Sequence, residues 1–302
     1  MSQNKVIAYI KGPGQQKALA LSALIVLYVF FCIFGSNFAS LDTLISIFDS
    51  SYYTGFMAIG MTLVIISGGI DLSVGTVTVG SALIGGVAYN VWGLPMWFCL
   101  ILIVLTGTIF GIMNGILIGK LNLPPFIATL GAQFISMGLC SVVAKVQTMR
   151  YPSITSPDGW FKTVFFKTRS GFPMGAIWLL LLFAVAVIIL NRTKLGNYTY
   201  AIGDNEETVR LSGINTSNWK LLIYTVSGFC CGLAGIIYAA TFTSITPQTG
   251  GGQEMYAIAA CVIGGASLSG GIGSLTGTII GVVVVAAVLV DVIRNKRAMQ
   301  AR

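Results

Sequence analysis

Apolar residues run in long blocks along this chain, and polar residues gather in the gaps between them. A block of about 17–25 such residues is long enough to cross a bilayer as a helix. The first block is Ala18–Phe34. The stretch "LDTLISIFDS", Leu41–Ser50, is polar on one side and predicts an interfacial helix. Phe56–Ser67 is a short span that stops at Gly68-Gly69. Val74–Val91 is rich in Gly, Ala, Ser and Thr, and Met96–Gly119 is closed by Lys120. "NLPPFIATLGAQF" opens a fifth span that ends near Val143. Its Pro124-Pro125 pair suits a helix start, where no intrahelical donor is needed. Ala176–Leu190 and Leu221–Thr241 follow. Met255–Gly265 is again short and again ends at a glycine pair, and Leu275–Val292 is the last block. Two long polar stretches, Lys145–Pro173 and Asn191–Asn218, separate the later blocks. The pattern predicts an all-α transmembrane bundle of about 9–10 helices, one membrane domain over residues 1–302.

The two short spans echo each other. "GGIDLSVG", Gly68–Gly75, aligns with "GGASLSGG", Gly264–Gly271, matching at Gly, Gly, Leu, Ser and the final Gly. Short glycine-interrupted apolar segments in corresponding positions point to a transporter built from repeats. Broken backbone at membrane depth is tolerated only against protein or a water-filled cavity. The restarting helix exposes unpaired N–H groups and a positive dipole end. Asp71 or Ser73 suits it as a cap, and so does Ser267 or Ser269 in the second copy. An aspartate at the bilayer centre costs about 2.5–3.5 kcal/mol on insertion scales, and capping offsets much of that. Two readings stand: Asp71 is a structural cap, or Asp71, Ser73, Ser267 and Ser269 line a polar path.

Composition removes the soluble classes. Hydrophobic residues make up 55% of the 302 residues, charged residues 9%, and mean hydropathy is +0.88. A soluble domain carries about 25% charged residues. Net charge is +8, but the basic residues fall between apolar blocks and at both ends, which speaks for topology and against nucleic acid. The block Ala18–Phe34 is too long for a signal-peptide core and predicts a retained helix. Three lysines precede it, placing the N-terminus in the cytoplasm. Loop Ser36–Ser51, with Asp42 and Asp49, then lies outside, as does 145–173, and 191–218 lies inside. Nine spans leave the basic tail Arg294–Arg302 outside, against the charge rule, so one further crossing is required.

The six cysteines, Cys32, Cys99, Cys140, Cys230, Cys231 and Cys261, lie in apolar blocks without C-x-x-C spacing, as small buried side chains do. There is no histidine. With no paired carboxylates or ligand clusters either, an intramembrane enzyme, a metal site and a cofactor are not expected. "GTIFGIMNG" and "GFCCGLAG" space small residues four apart, which predicts close helix packing. Within 191–218, Asp204 three residues before Glu207 resembles a capping box. Glu206 and Glu207 favour a helix start, Arg210 lies nearer its end, and Gly213 can terminate it. A helix over Asn205–Ser212 follows. It either folds the loop or docks a partner.

Taken together, "AIGMTLVIISGGIDLSVGTV", "LNLPPFIATLGAQF", "TKLGNYTYAIGDNEETVRLSGIN" and "AIAACVIGGASLSGGIGSLTGTIIG" resemble the permease subunits of bacterial ABC importers for monosaccharides, of the ribose, xylose, arabinose, galactose and autoinducer-2 type. The resemblance spans nearly the whole chain. It implies two permeases forming a path in the inner membrane, a cytoplasmic ATP-binding subunit, a periplasmic sugar-binding protein, and the fold of vitamin B12-type importers with about ten helices. It makes the stretch holding Gly203, Asp204, Asn205, Glu206, Glu207 and Arg210 the coupling helix on the ATPase. It also implies a further helix and loop, roughly 25–30 residues, between Gly281 and Val282, the crossing that parity lacks. Tyr151–Phe172 either contacts the binding protein or anchors at the interface through Trp160 and its phenylalanines. No G-x-x-x-x-G-K-[ST] occurs, since Gly119-Lys120 is followed by Leu121, so ATP is hydrolysed on another chain. The competing function is an ion-coupled secondary transporter, for which only Asp71, Glu254 and Asp291 would supply membrane carboxylates.

Overall fold

A computed structural model describes residues 15–34, 38 and 40–300, excepting the side chains of 15–20, 23, 34, 41, 42 and 291–300. The basic start up to residue 14, and with it much of the charge argument for orientation, lies outside the described residues. So do the side chains of the tail Arg294–Arg302.

Eleven α-helices occur among the described residues: α1 Gln15–Phe34, α2 Leu41–Ile66, α3 Val74–Asn90, α4 Met96–Gly115, α5 Pro125–Val143, α6 Trp160–Phe165, α7 Met174–Arg192, α8 Lys194–Leu211, α9 Thr216–Thr241, α10 Gln253–Ile263 and α11 Leu275–Gln300. A π-helical turn, Ile116–Lys120, extends α4. Four helices in the described part are each long and apolar enough to cross a bilayer: α4 with its extension, α5, α7 and α9.

The interfacial helix expected at Leu41–Ser50 does not exist as a separate element. It is the first half of α2, which runs unbroken into the span expected at Phe56. Ser40 Oγ accepts from Thr43 N–H at 3.3 Å and caps the start. The polar residues that suggested a boundary stay helical because their hydroxyls bond back along the helix, Ser51 to Ile47 O at 2.7 Å and Thr54 to Ser50 O at 3.3 Å.

Both short spans do end at glycines. Gly68, at φ 79°, follows α2, and Gly69 N–H donates to Val64 O at 3.0 Å. Gly265, at φ 90°, follows α10, and Ala266 N–H donates to Cys261 O at 2.9 Å. Each glycine closes the same left-handed helix terminus, a conformation open to it for lack of a Cβ. The equivalence is therefore Gly68 with Gly265, one residue off the sequence alignment.

The spaced glycines of α4 and α9 meet. A Cβ added to Gly111 would lie 2.6 Å from Tyr224 O and 2.8 Å from Gly228 Cα, and one on Gly107 would lie 2.5 Å from Gly232 N. Backbones approach this closely only without side chains between them. Gly228→Val overpacks that seam, at a cost of about 1–3 kcal/mol. It is expected to lower the unfolding temperature of the purified chain in detergent. Gly131→Ala on the open face of α5, where a Cβ meets nothing within 4 Å, is expected to leave it unchanged.

α2, α10 and α11 are joined by a buried knot: Thr62 Oγ1 lies 2.8 Å from Thr278 Oγ1 and 3.4 Å from Cys261 Sγ. α10 and α11 run antiparallel, Gly264 against Gly277 and Ala260 against Gly281. α11 passes through Gly281 and Val282 as continuous helix, and no additional crossing enters there.

At one end of the bundle lies the 145–173 segment. Its strand β1, Met149–Arg150, pairs antiparallel with β2, Ser244–Ile245. Asn90 Nδ2 donates to Arg150 O at 2.8 Å, Tyr89 OH to Asp158 at 2.9 Å, and Lys167 pairs with Asp49 at 2.5 Å. Lys162 is buried and donates to Thr243 Oγ1 at 3.2 Å, and burial lowers its pKa from the ordinary lysine value. α8 lies at the opposite end, where Glu206 pairs with Lys220 and Lys120 donates to Asn218.

Candidate functional site

The stretch expected to be a polar loop, 191–218, is mostly helix α8, kinked at Asn205 (φ −157°, ψ 97°). The short helix expected at Asn205–Ser212 is its second segment. Its cap is Asn205 and not Asp204: Asn205 Oδ1 accepts from Thr208 N–H at 2.9 Å. The chain leaves helical geometry at Asn205, so only that side chain reaches back to the third residue of the new turn. Gly213, at φ 82°, ends the segment as expected. Glu207 pairs with Arg210 on its surface, and Glu206 ties it to Lys220 of α9. Asp204, Asn205, Glu207, Arg210 and Leu211 are exposed, Leu211 at 80%.

The other segment of α8 reaches both glycine breaks. A Cβ on Gly203 would run into Ile66 O, at the end of α2, and into Gly271 N at 2.5 Å. Gly271 N–H itself donates to Ile66 O at 2.8 Å. A Cβ on Gly270 would lie 2.6 Å from Gly203 O and 2.9 Å from Gly68 Cα. Tyr200 OH donates to Gly273 O at 2.9 Å. Three backbones thus meet without side chains between them, and the kinked helix is in contact with both breaks at once.

Asp71 lies inside the first break at 2% exposure. Its Oδ1 accepts from Ser73 N–H at 3.0 Å and Ser73 Oγ at 2.6 Å, and more distantly from Asn114 Nδ2 at 3.5 Å. Its Oδ2 accepts from Ser227 Oγ at 3.4 Å. Asn114 Nδ2 also donates to Ser73 Oγ at 2.9 Å. Asp71 therefore closes a turn onto Ser73 just ahead of α3 and does not cap the first turn of that helix, and Ser73 makes no side-chain cap. Ile70 O, beside it, accepts from Tyr224 OH at 3.3 Å. The second break repeats the turn: Ser269 N–H donates to Ser267 Oγ at 3.2 Å, two residues back, as Ser73 N–H does to Asp71. Ser267 is half-buried and Ser269 exposed. The cap of α11 is Ser274, whose Oγ accepts from Gly277 N–H at 3.2 Å. No hydrogen bond among the described residues joins the Asp71–Ser73 pair to the Ser267–Ser269 pair.

Sequence reasoning missed a second polar region. The approach to α10, Phe242–Gly252, is not helical: it holds β2 and a 3-10 turn, Pro247–Gly250. Thr246, Gln248, Thr249, Gly251 and Gly252 are exposed there. Glu254, in the first turn of α10, is 5% exposed and accepts from Gln133 Nε2 at 3.2 Å. Ser136 Oγ donates to Thr76 Oγ1 at 2.8 Å nearby on α5 and α3. The three consecutive glycines at 250–252 were the available signal. Among the described residues no three His, Cys, Asp or Glu side chains gather as metal ligands do.

A polytopic helical bundle with two glycine-broken helices and a kinked end helix describes transport proteins of more than one kind. The family model for the permease component of the branched-chain amino acid transport system matches residues 43–297. The chain belongs to this permease family. It is a multi-pass protein of the inner membrane, a transport subunit and not an enzyme, and a permease of this kind works with an ATP-binding subunit and a substrate-binding protein. The permease is 37% identical to the ribose import permease protein RbsC of Haemophilus influenzae over 269 residues, 87% of this chain and 81% of the relative. It is 35% identical to the fructose import permease protein FrcC of Rhizobium meliloti, covering 89% and 76%. Against the autoinducer 2 import system permease protein LsrC of Yersinia pestis the identity is 34%, covering 89% and 75%. No solved structure gives a match.

Proposed function

We propose that this permease forms the path for a monosaccharide in an ATP-driven importer of the bacterial inner membrane. Two permease subunits, alike or different, enclose the path. The N-terminus and the 191–218 coupling loop face the cytoplasm, and the 145–173 loop faces the periplasm and receives the sugar-binding protein. The relatives that import ribose and fructose support a sugar as cargo.

The observation that carries the mechanism is the contact of Gly203 with both breaks. The segment Asn205–Leu211 binds the ATPase through Glu207, Arg210 and the apolar Leu211, with Gly203, Asp204 and Asn205 joining it rigidly to the breaks and Glu206 anchoring it to α9. Movement of that segment is transmitted to Ile66, Gly68 and Gly270–Gly271, and so to α2, α3, α10 and α11. Of the path residues, Ser267 and Ser269 stand at the accessible break. Asp71 and Ser73 brace the buried one and shape the wall behind it.

The test is to purify the permease with its native ATP-binding subunit and binding protein and to measure ATP hydrolysis against a sugar panel. Stimulation by one monosaccharide-loaded binding protein is the expected result. Uptake driven by a proton gradient without any ATPase would contradict the proposal. Leu211→Asp, on the exposed tip of α8, is expected to weaken capture of the ATP-binding subunit at least about tenfold, equivalent to roughly 1.4 kcal/mol. Pull-down titration measures it. Leu211→Met should retain capture.

A further inference from the structure

We propose that Glu254 and Gln133 form a hydroxyl-binding station for the sugar midway across the membrane, resting on the reading of the protein as a monosaccharide permease. Gln133 sits near the middle of α5, a 19-residue apolar helix long enough to cross the bilayer. Beside it the non-helical peptide before α10 exposes Thr246, Gln248, Thr249, Gly251 and Gly252. Such backbone cannot face acyl chains, which satisfy none of its polar groups, so this face turns away from lipid, toward the second permease and the passage the two enclose.

Within that face two acceptor atoms are not fully used. Glu254 Oε1 takes Gln133 Nε2 at 3.2 Å and Gly252 N–H at 3.1 Å, while Oε2 takes only Gly252 N–H, at 3.0 Å. A carboxylate oxygen accepts about two hydrogen bonds, so Oε2 has capacity left. Gln253 Oε1, on the adjacent residue, is buried with no hydrogen-bond partner among the described residues. A neutral sugar is a dense set of O–H donors and meets this arrangement directly. A phosphorylated or carboxylated sugar is repelled by the Glu254 charge. The Asp71 cluster differs, since four donors converge on it. Glu254 is not needed to hold α2 to α11, a task carried by Thr62, Cys261 and Thr278.

The experiment uses the assembled importer in proteoliposomes, with radiolabelled D-ribose and D-fructose as probes, and follows uptake alongside ATP hydrolysis. Glu254→Ala and Gln133→Ala are expected each to reduce uptake of the transported sugar about tenfold while its loaded binding protein still stimulates hydrolysis. Glu254→Gln, which keeps the shape and removes the charge, is expected to retain part of the uptake. If Glu254→Ala does not assemble, Gln133→Ala decides, because Gln133 is half-buried and its loss leaves the carboxylate bonded to Gly252. Uptake unchanged in Gln133→Ala and Glu254→Gln, with hydrolysis still sugar-dependent, overturns the station and leaves the permease reading intact. Hydrolysis that no sugar stimulates in the unaltered assembly overturns the reading and the station with it.

Discussion

Gly203→Val is expected to uncouple hydrolysis from uptake, lowering the sugar carried per ATP by about tenfold, the effect of roughly 1.4 kcal/mol. A side chain there has no room. Ile66 O and C and Gly271 N occupy the positions a valine would take, and all are main-chain atoms that cannot rotate away. Overpacking at such a point costs about 1–3 kcal/mol, and α8 relieves it by lifting from the breaks. The Asn205–Leu211 segment remains intact, so the ATP-binding subunit still docks and still hydrolyses. Uptake per ATP in proteoliposomes measures the loss. A Gly203→Val protein that transports with the same yield per ATP as the parent would refute this route of coupling.

Asp71→Ala is expected to be the most destabilising single change in the bundle. Removing the carboxylate leaves the Ser73 N–H and hydroxyl and the Ser227 hydroxyl without their acceptor in a site closed to water, while the Asn114 amide keeps only Ser73 Oγ. Each buried donor left unpaired costs about 1–3 kcal/mol. Thermal unfolding in detergent should show a large fall for Asp71→Ala. Asp71→Asn, which keeps one acceptor oxygen toward Ser73, should fall less. If Asp71→Ala unfolds at the parent temperature but loses uptake, the residue acts on the sugar and not as a brace.

The crossing helices were legible because lipid demands long apolar runs, and those runs are in the sequence whatever the packing. The close seam of α4 and α9 was legible for a related reason, since glycines four apart serve little purpose in a helix except close approach. The breaks at Gly68 and Gly265 were found, but their register was not: a glycine pair offers two residues able to take positive φ, and only packing chooses between them. Asp204 was read as a cap and Asn205 proved to be one, since both residue types suit the role and the kink decides. The joined helix α2 was hidden because serines and threonines look like a boundary until their hydroxyls bond back to the helix. Glu254 was legible as a membrane carboxylate, but its pairing with Gln133 was beyond reach. The two are 121 residues apart in sequence, and nothing local marks a single glutamine in an apolar helix as the partner of a buried carboxylate.

The central claim is that the kinked helix and both breaks move as one body. Spin labels on Thr208→Cys and Leu268→Cys, with a third on Trp92→Cys at the opposite end, test it in the cysteine-free permease assembled with its ATP-binding subunit. All three positions are exposed. Between nucleotide-free and ATP-bound states the 208–268 distance should stay constant while both distances to 92 change together. A 208–268 distance that changes while 268–92 stays fixed would contradict the account.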